Sequence, residues 1–176
     1  MSTTPPWLQD KLFERRLVFV TGRLDDALAS AAAAQIMALD VAADAPIDVL
    51  LRSEDGTLEA AFVLIDVFDA ARATMRVHCL GQVGGPAIGV VAAADHRSAS
   101  VHTTFRLCLP VSQATGTPDQ IAAQAQQHRH VLWRFQARLA KATRRPVEDV
   151  ADDMRRARYL DAREALDYGL IETIRT

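Results

Sequence analysis

The stretch that most constrains the fold is residues 79–94, CLGQVGGPAIGVVAAA. The apolar run before it, residues 75–80, is typical of a buried strand. Residues 81–85 are rich in glycine, which predicts a sharp turn. Pro86 suits the first position of a helix, and residues 87–94 are all small or apolar, so that helix can be buried on nearly every side. A strand, a tight turn and a buried helix present a nucleophile in several hydrolase folds, and its position here is occupied by Gly85.

The rest of the chain alternates between strand and helix patterns. Apolar, β-branched runs predict strands over residues 17–21, 47–51 and 105–109, and residues 95–100 are predicted to be a polar turn. Helices are predicted over residues 7–14, 27–39 (capped by Asp25 and Asp26), 58–71, 121–143 and 147–156. This order predicts right-handed βαβ crossovers and a mostly parallel sheet covered on both faces.

Composition excludes several classes of protein. The chain has 176 residues, of which 49% are hydrophobic and 24% charged, which is typical of one globular domain. A formal net charge of −2 argues against a nucleic-acid partner. No apolar run is long enough to span a membrane, and two distant cysteines make neither a disulfide framework nor a metal set. His128 and His130 lie on different faces of the predicted helix, so we do not expect them to bind a metal together. No cofactor is expected, and a cytoplasmic protein is the default expectation.

Three segments resemble the proteolytic subunit of the Clp protease, ClpP. Residues 162–171, AREALDYGLI, match the family pattern A-x-E-A-x-x-Y-G-L-I/V, and residues 16–22 match R-x-I-F-L-x-G. Residues 80–88 can be laid on I-G-x-A-A-S-M-G-A, which carries the catalytic serine, and Leu80 and Gly81 match its first two positions. The resemblance implies an α/β, ClpP/crotonase-like fold of repeated ββα units, with mostly parallel sheets packed by helices and a projecting handle helix and loop. It also implies one domain over residues 1–176, with a head at about 8–110 and 145–176 and a handle at about 111–144.

The same resemblance places the family's catalytic triad on residues that cannot perform its chemistry. The serine falls on Gly85, and the aspartate falls on Ala157. Anchored on Pro110, the histidine falls on Cys108, and a slip of one residue would make it Leu109. Removal of triad members costs many orders of magnitude in rate because they act as a unit. The prediction is that this chain alone has no serine-peptidase activity.

Three side chains close to the triad positions could act as substitutes, and none is predicted to do so. Cys108 is interpreted as a buried structural cysteine rather than a substitute nucleophile, because no adjacent base is apparent. Asp152 and Asp153 lie too early in the chain to replace the aspartate and are predicted to face solvent.

The family's oxyanion loop, N-S-P-G-G, is also changed. This chain has Arg52, Ser53, Glu54, Asp55 and Gly56 at those positions, and two carboxylates oppose the stabilisation of a negative charge. One interpretation is an ordinary polar turn that caps the helix over residues 58–71, and the other is a remodelled site that prefers a basic group. The vestigial oxyanion and peptide groove would be formed by Ser53, Asp55, Gly56, Gly84, Gly85 and Pro86.

Three functional hypotheses follow from these residues. The leading one is a non-catalytic ClpP-like subunit, a pseudoprotease, that forms heptameric rings or double rings or joins an active ClpP paralogue. Because the chain has only a stub of the family's N-terminal segment, docking of a Clp ATPase by this chain alone is not expected. The second is a crotonase-like protein that binds or transforms a small acyl compound at the Gly84–Gly85 turn. The third is a free-standing scaffold for an unrelated partner.

Overall fold

A computed structural model describes residues 5–110 and 115–175 as alternating strands and helices. The helices are α1 (Pro6–Glu14), α2 (Asp26–Ala42), α3 (Leu58–Ala70), α4 (Ala87–Ala93), α5 (Pro118–Thr143), α6 (Val147–Arg155) and α7 (Ala162–Tyr168). The strands are β1 (Leu17–Thr21), β2 (Ile47–Arg52), β3 (Met75–Cys79), β4 (Gln82–Gly84), β5 (His96–Ser100), β6 (Thr104–Leu107), β7 (Arg158–Asp161) and β8 (Thr173–Arg175).

The strands form two sheets. The larger sheet has five parallel strands in the order β1-β2-β3-β5-β8. The smaller has the order β4-β6-β7, in which β4 and β6 are parallel and β6 and β7 are antiparallel. The predicted mostly parallel sheet is therefore confirmed.

A repeated unit relates the two sheets. After β3 the chain forms the short strand β4 and then α4, which makes one ββα unit. After β1 and β2 the corresponding extended pieces are shorter, and they are joined by a parallel bridge between Leu24 and Gly56. A Cβ on Gly56 would lie 2.4 Å from the Leu24 carbonyl oxygen, so only glycine permits this close approach. The predicted ββα fold class is confirmed.

The larger sheet is covered by the chain's own helices on one face only. Val18, Val20 and Val49 are buried at 1% exposure or less, whereas Phe19, which points the other way, is 41% exposed. Because β1, β2, β3 and β5 lie side by side in chain order, right-handed crossovers place the connecting helices α2, α3 and α4 on the same side. Helix α1 precedes β1, and its residues line a pocket that Phe19 also lines, at the edge of the other face. The prediction of two covered faces is therefore wrong for the described chain by itself.

Two strands lie where the sequence predicted turns. Residues 95–100 were expected to be a polar turn, but β5 occupies residues 96–100 and pairs with both β3 and β8. Residues 81–85 were expected to be one tight turn, but β4 lies between two turning glycines, Gly81 and Gly85, whose φ angles are +60° and +54°. Pro86 is the N-cap of α4 and not its first helical residue.

Helix α5 projects from the packed part of the chain. Its 26 residues begin with a capping box at Thr117 and Gln120, and burial is confined to the second half, where Phe135 and Leu139 are 1% exposed. Ile121 in the first half is 40% exposed. The predicted handle, at about 111–144, lies partly outside the described residues, since 111–114 are not among them.

Candidate functional site

Three strand ends of the smaller sheet meet at the predicted site. Gly84, the last residue of β4, is paired with Arg106 of β6. On the other side of β6, Leu107 is paired with Arg158, the first residue of β7. Gly85, Cys108 and Ala157 each lie one residue beyond these pairs. The structure therefore brings together the three positions that the sequence assigned to the triad.

Cys108 is the side chain that lies next to the nucleophile position. A Cβ built on Gly85 would lie 3.8 Å from the Cys108 sulfur, so Cys108 and not Leu109 faces the nucleophile position. Cys108 is partly exposed, and the prediction that it is buried is wrong, because it lies just beyond the paired part of β6. Cys79, at the end of β3, is the buried thiol, and burial raises its pKa.

Ala157 connects α6 to β7 in an unusual backbone conformation. Its φ is +51°, in the left-handed region that side chains other than glycine, asparagine and aspartate rarely adopt. Its amide N–H donates to the Met154 carbonyl at 3.2 Å, which closes the end of α6. The position carries only a methyl group, so it provides no acceptor for an imidazole.

The loop after β2 is held closed by its own carboxylate. Asp55 Oδ1 accepts the Gly56 N–H at 2.7 Å, and Asp55 also forms an ion pair with Arg23. Ser53 is 1% exposed, and its hydroxyl donates to the Asp55 carbonyl at 3.1 Å. The cap of α3 is Thr57, whose side chain accepts the Ala60 N–H, so the prediction that Glu54, Asp55 and Gly56 cap this helix is wrong.

The backbone donors around Gly85 are already engaged. The Gly84 N–H donates to the Ser53 carbonyl at 2.8 Å, and the Gly85 N–H donates to the Arg106 carbonyl at 3.1 Å. Pro86, the residue after the nucleophile position, has no N–H at all. An oxyanion hole needs donors aimed at the developing charge. The N–H groups of Gly56, Gly84 and Gly85 are directed elsewhere.

Arg106 and Tyr159 are site residues that sequence reasoning missed. The two are paired across β6 and β7, and Arg106 Nη2 donates to the Glu54 carbonyl at 3.3 Å. The Tyr159 hydroxyl and, after it, Cys108 raise the pKa of Arg106. A period of two along the strand puts Arg106 on the same face as Cys108, and this pattern could be read from the sequence. The position of Tyr159 beside Arg106 depends on the register between β6 and β7, which could not be read from the sequence.

Asp153 does not face solvent as predicted. Its Oδ2 accepts the Tyr168 hydroxyl hydrogen at 2.9 Å, and its side chain is 15% exposed beside Arg158. Burial, and then the bond to Asp153, raise the pKa of Tyr168. Asp152 remains 46% exposed, paired with Arg155 one turn later. Asp153 therefore fastens α6 to α7 rather than orienting a base.

Two kinds of feature are absent from residues 5–110 and 115–175. No group of three or more histidine, cysteine, aspartate or glutamate side chains is placed to hold a metal ion. No helix in the same ranges is long and apolar enough to cross a lipid bilayer.

Comparison with known proteins identifies the family. The sequence model of the Clp protease family matches residues 6–176. The ATP-dependent Clp protease proteolytic subunit of Paracoccus denitrificans is 35% identical over 159 residues, which are 89% of this chain and 80% of that protein. Subunit 4 of Rhodococcus jostii is 31% identical over 167 residues, 93% of this chain and 86% of the relative. Subunit 1 of Thermobifida fusca is 27% identical over 169 residues, 94% and 76% of the two chains. The chain belongs to the Clp protease family.

Proposed function

We propose that this chain is a non-catalytic ClpP-like subunit, a pseudoprotease, of a ring-shaped Clp-type assembly. Members of the Clp protease family form oligomeric rings. The chain would form heptameric rings or double rings by itself, or enter mixed rings with an active ClpP paralogue, and would change their assembly or substrate access. Docking of a Clp ATPase is not part of the proposal.

The observation that carries this proposal is the set of groups around Gly85. The three positions that meet there, Gly85, Cys108 and Ala157, supply a hydrogen atom, a thiol and a methyl group. Peptide hydrolysis by this route needs a nucleophile, a base within hydrogen-bond reach and a group that orients the base. Two backbone positions that could stabilise an oxyanion are also lost as donors, because Pro86 has no N–H and the Gly56 N–H donates to the Asp55 carboxylate.

Two further features support a role in assembly. We propose a single domain, in which α5 with its flanking residues is the handle and the remainder is the head. The first half of α5 contains no buried residue, and the larger sheet has a face that its connecting helices do not cover. Parallel sheets are ordinarily buried on both sides. Heterologous contacts between such unequal surfaces close into rings when the rotation between copies is right.

The hypothesis of a crotonase-like acyl site gains no support from the geometry. It depended on free N–H groups at the Gly84–Gly85 turn, and both of these donate to backbone carbonyls. The hypothesis of a free-standing scaffold is separated from the proposal by the size of the particle.

The test combines sizing with turnover. Light scattering on the purified chain alone, and size-exclusion chromatography of the labelled chain mixed with an active ClpP from the same source, are expected to place this chain in a ring-sized particle in at least one case. Hydrolysis of fluorogenic peptides by the chain alone is expected to be at background. A stable monomer in both samples would contradict the proposal, and so would turnover that is abolished by Cys108→Ala.

A further inference from the structure

A groove of about 720 Å³ lies between α3 and α5, and Gly85, Cys108 and Ala157 are not among the residues that line it. We call it the α3–α5 groove and define it by Phe62 and Asp69 of α3 and by Trp133, Arg134, Arg138 and Lys141 of α5. The rest of its wall includes Ala92, Asp95, Arg97 and Glu172. Its volume lies within the range of ligand-binding clefts.

The carboxylates of the groove are already engaged. Both oxygens of Asp69 accept hydrogen bonds from Arg138, one of them from Nη1 at 2.6 Å. Glu172 accepts from Arg97 Nη2 at 2.9 Å through one oxygen and from the Arg97 backbone N–H at 3.3 Å through the other. Asp95 Oδ2 accepts the Met75 N–H at 2.8 Å. The acidic side of the groove is therefore directed inward, toward the protein's own groups.

The donors of the groove are in excess. The buried Nε atoms of Arg97 and Arg138 have no hydrogen-bond partner in the described part of the chain. Arg134 lies over the Phe62 ring, 5.1 Å from its centre, and residues 5–110 and 115–175 place no carboxylate within ion-pair distance of Arg134 or Lys141. Arg134 and Lys141 are therefore left without a counter-charge in these ranges. The buried Nε atoms of Arg97 and Arg138 have a free-energy cost because they lack a hydrogen-bond partner in the same ranges.

The spacing of these cations selects the kind of ligand. Arg134 and Lys141 are seven residues apart on one helix, so they lie about 10 Å apart along the same side. A ligand with two anionic groups about that far apart can contact both cations at once. A peptide in the polyproline II conformation advances about 3.1 Å per residue with three residues per turn, so carboxylates three positions apart lie on one side and about 9 Å apart. At the Arg134 end the groove offers the Phe62 ring, over which Arg134 lies, and the Trp133 indole, which is 58% exposed.

We propose that the α3–α5 groove docks an extended acidic segment of a partner protein. Two carboxylates three residues apart contact Arg134 and Lys141, and an apolar side chain between them packs against Phe62 and Trp133. This inference goes beyond the proposed ring subunit and does not depend on it, because the groove is complete within one copy of the chain.

Trp133 provides a direct readout. In a Trp7→Phe background it is the single tryptophan, since the chain has 2. The probe is a capped hexapeptide, Gly-Glu-Leu-Ala-Glu-Gly, and the matched control replaces both glutamates with glutamine. We expect a saturable change in Trp133 fluorescence with the acidic peptide only. The affinity should fall as salt rises from about 0.1 M to about 1 M, because the screening length shortens from about 10 Å to about 3 Å.

Charge reversal tests the two cations. We expect Arg134→Glu with Lys141→Glu to weaken peptide binding about tenfold or more, which is the effect of losing and then opposing two exposed ion pairs. The neutral double variant Arg134→Gln with Lys141→Gln should weaken peptide binding less, and it controls for misfolding caused by the reversed charges. The double variant Arg129→Glu with Arg163→Glu changes the net charge by the same amount outside the groove, and it should bind the peptide normally.

Three results would overturn the proposal. One is equal binding of the glutamine peptide, and another is saturation by inorganic phosphate as tightly as by the acidic peptide. The third is loss of the peptide-dependent change as the protein concentration is raised, because a second copy of the chain would then compete with the peptide for the groove.

Discussion

At the scale of single residues, the donors around Gly85 limit activity as strongly as the lost triad does. Each donor of an oxyanion hole is worth about 10²–10³ in rate. Here Pro86 cannot donate, and Asp55 competes for the Gly56 N–H at 2.7 Å. A serine at position 85 would also have to accept a φ of +54°.

Restoring the triad alone is therefore expected to fail. We expect Gly85→Ser, Cys108→His and Ala157→Asp together to leave peptide turnover near background. Adding Asp55→Gly and Pro86→Ala should raise kcat by about 10²-fold or more, because both donors become available. The measurement is hydrolysis of a fluorogenic peptide, with Asp55→Gly and Pro86→Ala in the native background as control. Full activity from the triad substitutions alone would show that the donors are not limiting.

His78 is the residue whose titration should be visible in stability. It lies on the uncovered face of the larger sheet, with Nδ1 2.9 Å from the Ser98 hydroxyl and Nε2 3.0 Å from the Ser100 hydroxyl. The Ser98 hydroxyl donates to the Val77 carbonyl, so it accepts from Nδ1–H, and Nε2 is left to accept from Ser100. Burial, and then the charge of Arg175, lower the pKa of His78 below 6.5.

The sign of the pH dependence follows from this shift. The unfolded chain binds a proton at His78 near pH 6.5, whereas the folded chain resists it until lower pH. The free energy of unfolding should therefore be greatest above that value and fall as pH falls through the window below it. We expect His78→Gln to flatten this slope in urea titrations between about pH 7.5 and about pH 5. His102→Gln, in an exposed turn, is the control, and an unchanged slope in His78→Gln would contradict the assignment.

At the scale of elements, α4 and α5 approach each other through Gly89. A Cβ built on Gly89 would lie 2.3 Å from Cε2 of Phe135, whose ring is buried and contacts Phe62 edge to face. Alanine is favoured over glycine in a helix by about 1 kcal/mol. Overpacking in a core costs about 1–3 kcal/mol, so the clash should exceed this gain.

We therefore expect Gly89→Ala to lower the free energy of unfolding by about 1–2 kcal/mol, measured by urea denaturation. Phe135→Leu shortens the opposing side chain, so it should cost less in the Gly89→Ala background than in the native one. This difference is the coupling between the two sites. If Gly89→Ala is as stable as the native protein, the contact between the helices is not as close as described.

The elements also show what the sequence could reveal and what it could not. The strands β1, β2 and β3 were predicted within one residue, because their apolar runs are local signals. β5 has the sequence HRSAS, in which no apolar alternation marks a strand, and it exists because β3 and β8 pair with it. Gly85 and Cys108 were found through motifs, whereas Tyr159 and the bond from Asp55 to Gly56 depend on register and loop geometry that no local pattern encodes.

At the scale of the whole molecule, the uncovered sheet face is the surface that assembly would bury. One row of this face runs from Phe19 through Leu50 to His78 and Ser98, as the strand register shows. In this row the apolar side chains lie on β1 and β2, and the polar side chains lie on β3 and β5. A second copy can cover the apolar part of the row without burying an unpaired charge there.

A charge placed in the apolar part of the row should therefore break assembly without unfolding the chain. Phe19 is 41% exposed, so Phe19→Glu leaves the carboxylate in water in the monomer and buries it in a ring. We expect particle size in light scattering to fall while circular dichroism is unchanged. Val101→Glu is the matched control, since Val101 is a 50% exposed apolar residue in the turn before β6. If Phe19→Glu forms particles of native size, copies of the chain associate through another surface. The uncovered face of the larger sheet would then be the docking surface of a different partner.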